Sequence, residues 1–310
     1  MSPDSMSVNG PTEVLRRART AVDDHWILRA SQGHLPNEHE LTGHLLAACD
    51  PRFVRYAQFT VREERQLGSD WLWWFLDASG ECLGLLIQAK RLHRNRADWT
   101  FGLNYRSGGE ERQIDLLLDA ADLLDVPAAY LFYCGPPEYR AGLECADHRD
   151  ECDRCPRMGA SILDALTVEY ELRWDDHVER VYAKSAPLED LLAGPAGRAI
   201  WFQGLDLNPD LREFLVAPQT GVRAVARRLL EVVALARMGQ FSATVLDRVA
   251  TSSDAVFEDV PADRGHLARP YLQFVLRGLR REPPSIVEAL LADDEIQPHA
   301  SLAGMVVVTL

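Results

Sequence analysis

Residues 70–77 (DWLWWFLD) and 82–91 (CLGLLIQAKR) flank the short run Ala78-Ser79-Gly80-Glu81. The first stretch is rich in the bulky aromatic residues that suit a pleated, half-buried surface, and the second is almost wholly apolar until Gln88. The residues between them are small and polar and include a glycine, as in a tight turn. Together they predict an antiparallel hairpin. Folding it about Ser79-Gly80 sets Asp70 opposite positions 88 to 90. Gln88 and Lys90 share a face, because strand side chains alternate with period two. An acid, a carboxamide and an amine thus meet at the open end of two apolar strands, where directly opposite Cβ atoms are about 4.5–5.5 Å apart.

The flanking sequence supplies the remaining elements. Residues 12–33 carry the apolar spacing of a helix, and residues 38–48 read as a second one entered through Asn37 as N-cap. Residues 53–62 read as a strand, 110–125 as a strongly amphipathic helix and 128–134 (AAYLFYC) as a buried strand ended by Gly135-Pro136-Pro137. The order α-β-β-β-α-β implies an α/β fold with a mixed sheet. Further on, residues 158–170 and 220–238 read as helices, 245–250 and 285–292 as short helices, and 304–310 as a terminal strand. The expected organisation is one α/β domain over residues 12–175 with an insertion at 135–158. A mostly helical region, 176–310, follows and is free to pack on the same domain.

Composition narrows the function classes. Hydrophobic residues make up 47% and charged residues 26% of the chain, as in a globular protein with a real core. No apolar run reaches the roughly 18 residues of a membrane span, and residues 1–12 lack the regions of a secretion signal, so a cytoplasmic protein is expected. The formal net charge of −14 is unfavourable for contact with phosphate backbones unless it is offset by a local basic groove and divalent cations. Of the 33 basic residues only Lys90 and Lys184 are lysines. Where a generic positive charge is needed this sequence uses arginine, so the compact ammonium at position 90 is a distinctive choice.

A carboxylate and a side-chain carbonyl oxygen are hard ligands for Mg²⁺, which keeps several waters as well. Such a metal activates water and stabilises charge on phosphate, and a lysine beside it neutralises the transition state. The same three residues also allow a plain cross-strand Asp70–Lys90 ion pair that closes the hairpin.

Asp70 within Gly68-Ser69-Asp70-Trp71, together with Gln88-Ala89-Lys90, resembles the site of the restriction-endonuclease-like (PD-(D/E)XK) superfamily in its Mrr-like Gln-x-Lys form. More closely, the stretches GSDWLWWF, LLIQAKRL, ERQIDLLLDAA and PAAYLFYC are similar to an uncharacterised bacterial family with a G-A-D-W…Q-A-K signature. The resemblance covers roughly residues 38–135. It implies a restriction-endonuclease-like core and a Mg²⁺- or Mn²⁺-dependent nuclease acting on DNA, with a role in bacterial defence. Asp70 and Gln88 would hold the metal and Lys90 would position the attacking water. An assisting acid is assigned to Glu40 on the second helix, with Glu38 and, on the incoming strand, Glu64 as alternates. Gln113 would touch the site or the substrate backbone. Two departures, the missing proline before Asp70 and glutamine in place of glutamate at 88, leave room for a silent module that binds nucleic acid or a partner protein. A homodimer or a partner subunit fits that reading.

Two other segments bear on function. Cys145-x2-His148-x3-Cys152-x2-Cys155 offers four soft ligands in a segment almost without apolar residues, and Cys152-x2-Cys155 has the spacing of a zinc knuckle. A structural zinc is expected there, with Cys134 as a substitute ligand. The run Lys90-Arg91-Leu92-His93-Arg94-Asn95-Arg96 directly follows the proposed site, and Arg91, Arg94 and Arg96 are its candidate substrate contacts.

Overall fold

The structure is a computed structural model and describes residues 10–59, 71–95, 98–103, 111–143, 145, 152–173, 178–194, 207–236, 248–296 and 302–310. Two helices open the chain, α1 (Pro11–Ser31) and α2 (Glu38–Ala47). Asn37 starts α2 by accepting the N–H of Glu40 on its side-chain oxygen at 2.8 Å, the cap its sequence position predicts. Three strands follow, β1 (Val54–Gln58), β2 (Trp71–Leu76) and β3 (Cys82–Arg91). β4 (His93–Asn95) and β5 (Asp98–Thr100) make a separate small hairpin before α3 (Gln113–Leu124) and β6 (Ala128–Tyr133).

The β2–β3 hairpin is the one the sequence predicts. Its register pairs Trp71 with Ile87 and Leu76 with Cys82. In the turn, Asp77 accepts the Ser79 N–H at 2.9 Å and Gly80 takes a left-handed φ of 86°. Trp71, Trp73, Trp74 and Phe75 are all buried, so the aromatic run is core rather than a stacking platform for bases. Trp74 fits only because its neighbour across the ladder is Gly84, where a Cβ would come within 2.8 Å of the indole.

Beyond β6 lie α4 (Pro137–Gly142), β7 (Ala160–Asp164), α5 (Ala165–Glu171), α6 (Val178–Lys184), β8 (Ala186–Pro187), α7 (Pro209–Val216) and α8 (Gly221–Ala236). The last elements are β9 (Arg248–Ala250), β10 (Asp259–Pro261), α9 (Tyr271–Leu276), β11 (Leu279–Arg280), α10 (Ser285–Leu291) and β12 (Gly304–Thr309). Two sequence expectations change here. The helix expected over 158–170 is a strand and then a helix, because Asp164 caps α5 by accepting the Thr167 N–H at 2.7 Å and so divides the segment. The short helix expected at 245–250 is a strand at 248–250, paired with β10, and residues 245–247 lie outside the described residues.

The main sheet runs β1-β12-β2-β3-β6-β7-β8, with β11 also paired to β3. It is mixed: β2–β3 is antiparallel and β3–β6 parallel. β12, the strand expected at the end of the chain, enters between β1 and β2, antiparallel to the first and parallel to the second. The three early strands are therefore not an uninterrupted meander, and residues from the C-terminal region complete their sheet. Helices cover both faces. Tyr133 of β6 reaches α2 through its hydroxyl, 2.9 Å from Thr42 Oγ1, whereas Lys90 on β3 reaches α3 on the other side.

Candidate active site and thiol cluster

The end of β3 carries the residues singled out in the sequence. Gln88 and Lys90 lie on one face, in register with Tyr130 and Phe132 of β6. Gln88 is 2% exposed, and its Oε1 has no hydrogen-bond partner among the described residues. A buried acceptor left unsatisfied costs about 1–3 kcal/mol, so this oxygen is a feature that needs a reason. Lys90 Nζ donates to Oε1 of Gln113, the first residue of α3. The structure thus brings Gln113 to Lys90. Asp70, Glu64, Arg96 and His148 lie outside the described residues. Asp70 is joined by one peptide bond to Trp71, whose ladder partner is Ile87.

The acid on α2 is placed differently. Glu40 accepts a hydrogen bond from His25 Nε2 at 2.8 Å and lies 3.0 Å from Arg29 Nε, so its carboxylate is bound to α1. The hydrogen bond to His25, with Arg29 behind it, holds that carboxyl below its usual range. It is Glu38 that turns toward β3, accepting the Arg91 N–H at 3.4 Å. The helical period accounts for this: Glu38 and Thr42, four residues apart, share a face toward the sheet, and Glu40 points away from it. Arg91, one residue past Lys90, belongs to the opposite sheet face, in register with Tyr133. Arg94 stands on β4, paired with Trp99.

Three arginines of the C-terminal half are bound internally. Arg223 holds Glu81 at 2.6 Å, Arg228 donates to the Leu191 carbonyl at 2.7 Å, and Arg277 donates to the Val126 carbonyl at 3.0 Å. They tie elements together instead of extending a basic groove.

The second constellation is the thiol cluster. One ligand atom each from Cys145, Cys152 and Cys155 lies within 4.8 Å of the others, a three-sulfur site that could hold a metal such as zinc. Cys145 and Cys152 are half-buried and Cys155 is buried, with the first two sulfurs 3.7 Å apart. Burial pushes the Cys155 thiol up to about 11, the neighbouring sulfurs add to this, and the Tyr182 hydroxyl opposes it. A metal reverses that balance, since it binds the thiolate. Cys134 does not join the group; its sulfur lies 3.3 Å from Ser161 Oγ. The sequence reading missed two neighbours of the cluster. Arg154, inside the Cys152-x2-Cys155 turn, was visible as a charge but not as a partner. Tyr182 lies far along the chain, on α6, and nothing in its local sequence signals the contact.

No helix among the described residues is long and apolar enough to cross a membrane. In comparisons with known proteins, the model of a family described as "Family of unknown function (DUF6615)" matches residues 11–309. No curated protein matches the chain.

Proposed function

The chain belongs to this family of unknown function (DUF6615), and from its own residues we propose a Mg²⁺- or Mn²⁺-dependent nuclease of restriction-endonuclease-like fold, acting on DNA through Asp70, Gln88 and Lys90. The observation that carries this reading is the buried Oε1 of Gln88, without a hydrogen-bond partner among the described residues, beside Lys90 on the same strand face. A hard cation is the natural partner for such an oxygen, and the carboxylate of Asp70 would share it. When bound, the metal polarises the phosphodiester and lowers the pKa of its water. Lys90 supplies a compact positive charge for the attacked phosphate and a donor to orient water. Gln113 accepts from Lys90 and fixes the direction of its amine. We assign the path for the substrate backbone to Arg94 and Arg96; Arg91, whose N–H is bound to Glu38, lies on the sheet face opposite Gln88 and Lys90. Glu40 takes no part in this proposal, because His25 and Arg29 occupy it. In the thiol cluster we assign a structural zinc, with His148 as fourth ligand.

The test is cleavage of plasmid DNA by the full chain with Mg²⁺ or Mn²⁺, beside Asp70→Ala and Lys90→Ala. Nicking or linearisation by the wild type is expected, with a loss of at least about 100-fold in either variant, the scale on which removing one stabilising group acts. Cleavage unchanged in both variants would reject the site. A second reading, a silent module that binds nucleic acid or protein, is favoured by the neutral Gln88 and the net charge of −14. No cleavage with either metal selects it.

A further inference from the structure

Two of the three sulfurs of the thiol cluster meet a donor from the chain. Arg154 Nη1 donates to Cys145 Sγ at 3.4 Å. The Cys155 backbone N–H donates to Cys152 Sγ, also at 3.4 Å. The Tyr182 hydroxyl stands beside the Cys155 thiol. From its other nitrogen, Nη2, the same Arg154 guanidinium donates to the Ser185 carbonyl at 2.7 Å and to the Tyr182 carbonyl. Its Cζ lies 5.2 Å from the centre of the Tyr182 ring. Tyr182 belongs to α6, and Ser185 joins α6 to β8. One side chain therefore spans from a candidate ligand sulfur to the element on which the turn rests.

Charge gives this arrangement its sense. A neutral thiol is a poor acceptor, and a guanidinium aimed at one gains little. A metal-bound thiolate makes a charge-assisted bond with the same donor. Three thiolates around a divalent ion leave one negative charge when the fourth ligand is neutral, and the guanidinium cancels it. Arginine suits the task better than lysine, because its planar fork serves a sulfur and two carbonyls at once.

We propose that Arg154 is the positioning residue of a zinc site formed by Cys145, Cys152 and Cys155, holding Cys145 as a ligand and coupling metal binding to the seating of α6 and β8. The proposal rests on the zinc reading of the cluster, and its test separates the two. Zn²⁺ affinity of the full-length protein is measured by competition with a chromophoric chelator, and Co²⁺ loading is followed by the thiolate-to-cobalt absorption band, for wild type, Arg154→Ala and Arg154→Lys. The wild type is expected to take up metal. Arg154→Ala should keep the thiolate band, since the cysteines remain, but bind Zn²⁺ about 10- to 100-fold more weakly, the usual effect of losing an outer partner of a ligand. Arg154→Lys, which keeps the charge but not the fork, should fall between them. Chelation should lower the Tm of the wild type more than that of Arg154→Ala. Equal affinities in wild type and Arg154→Ala overturn the proposal and leave the zinc site standing. Should Arg154→Ala fail to fold, equal affinities in wild type and Arg154→Lys overturn it in the same way. A wild type that takes up neither Zn²⁺ nor Co²⁺ overturns the zinc reading itself, and the proposal with it.

Discussion

Asp164 shows what one residue does at a junction. It ends β7 and caps α5, with its Oδ1 on the Thr167 N–H at 2.7 Å. Burial pushes its carboxyl up to about 6 from an ordinary value of 3.8. The folded state therefore holds a proton that the unfolded chain has already lost, and linkage sets the sign. This contribution is most favourable below the unfolded pKa, declines as pH rises through the window from about 4 to about 6, and is level above it. Asparagine keeps the capping oxygen and carries no charge. Asp164→Asn should therefore gain on the wild type as pH rises through that window, by up to roughly 3 kcal/mol at neutral pH. Urea unfolding from about pH 4 to pH 7 reads this directly, and a difference that does not change with pH would refute it. Neither this cap nor the strand before it entered the reading of 158–170 as one helix, because ASILD is buried on both faces and lacks the alternation that separates a strand from a helix.

At the level of elements, the β2–β3 hairpin was legible because a local turn sets its register, and strand alternation already grouped Gln88 with Lys90. The helical acid was half legible: α2 and its cap were clear, but which glutamate faces the sheet depends on how α1 packs against it. β12 shows the limit most clearly. GMVVVT reads as a strand, yet nothing local says that it enters between β1 and β2, more than two hundred residues earlier in the chain. Gly304 makes that entry possible, since a Cβ there would lie 2.2 Å from the Trp71 ring and 2.6 Å from the Ala57 carbonyl oxygen. Gly304→Ala should destabilise the protein by about 1–3 kcal/mol, the cost of overpacking a tight site. Gly43, in α2, has open space around its Cα, and Gly43→Ala should gain about 0.4–1 kcal/mol. Thermal unfolding of the two variants should move in opposite directions, and a Gly304→Ala as stable as the wild type would contradict the packing of β12.

Across the whole molecule, arginines play the part that the acidic composition obscures. In a chain of net charge −14, a basic face for nucleic acid would be the naive expectation for a dense set of arginines. Instead several of them bridge the two halves. Arg277, 3% exposed, donates to the Val126 carbonyl and to Asp122 at 2.6 Å, and Arg280 reaches the Leu124 and Asp125 carbonyls and stacks on Trp74. Arg223 holds Glu81 in the hairpin turn, and Asp77 of the same turn accepts the Val222 N–H at the start of α8. β12 and β11 add strands to the sheet that the first half begins. A chain ending at residue 175 would lose the strand between β1 and β2 and leave both with unpaired backbone groups and uncovered apolar faces. Such an edge is a template for aggregation rather than the rim of a stable domain. We therefore expect residues 1–175 alone to lack a cooperative thermal transition and to associate in solution, whereas the full chain unfolds in one step. A monomeric 1–175 fragment with a sharp melting transition would show that the N-terminal half folds by itself, and that the C-terminal half is an addition to it.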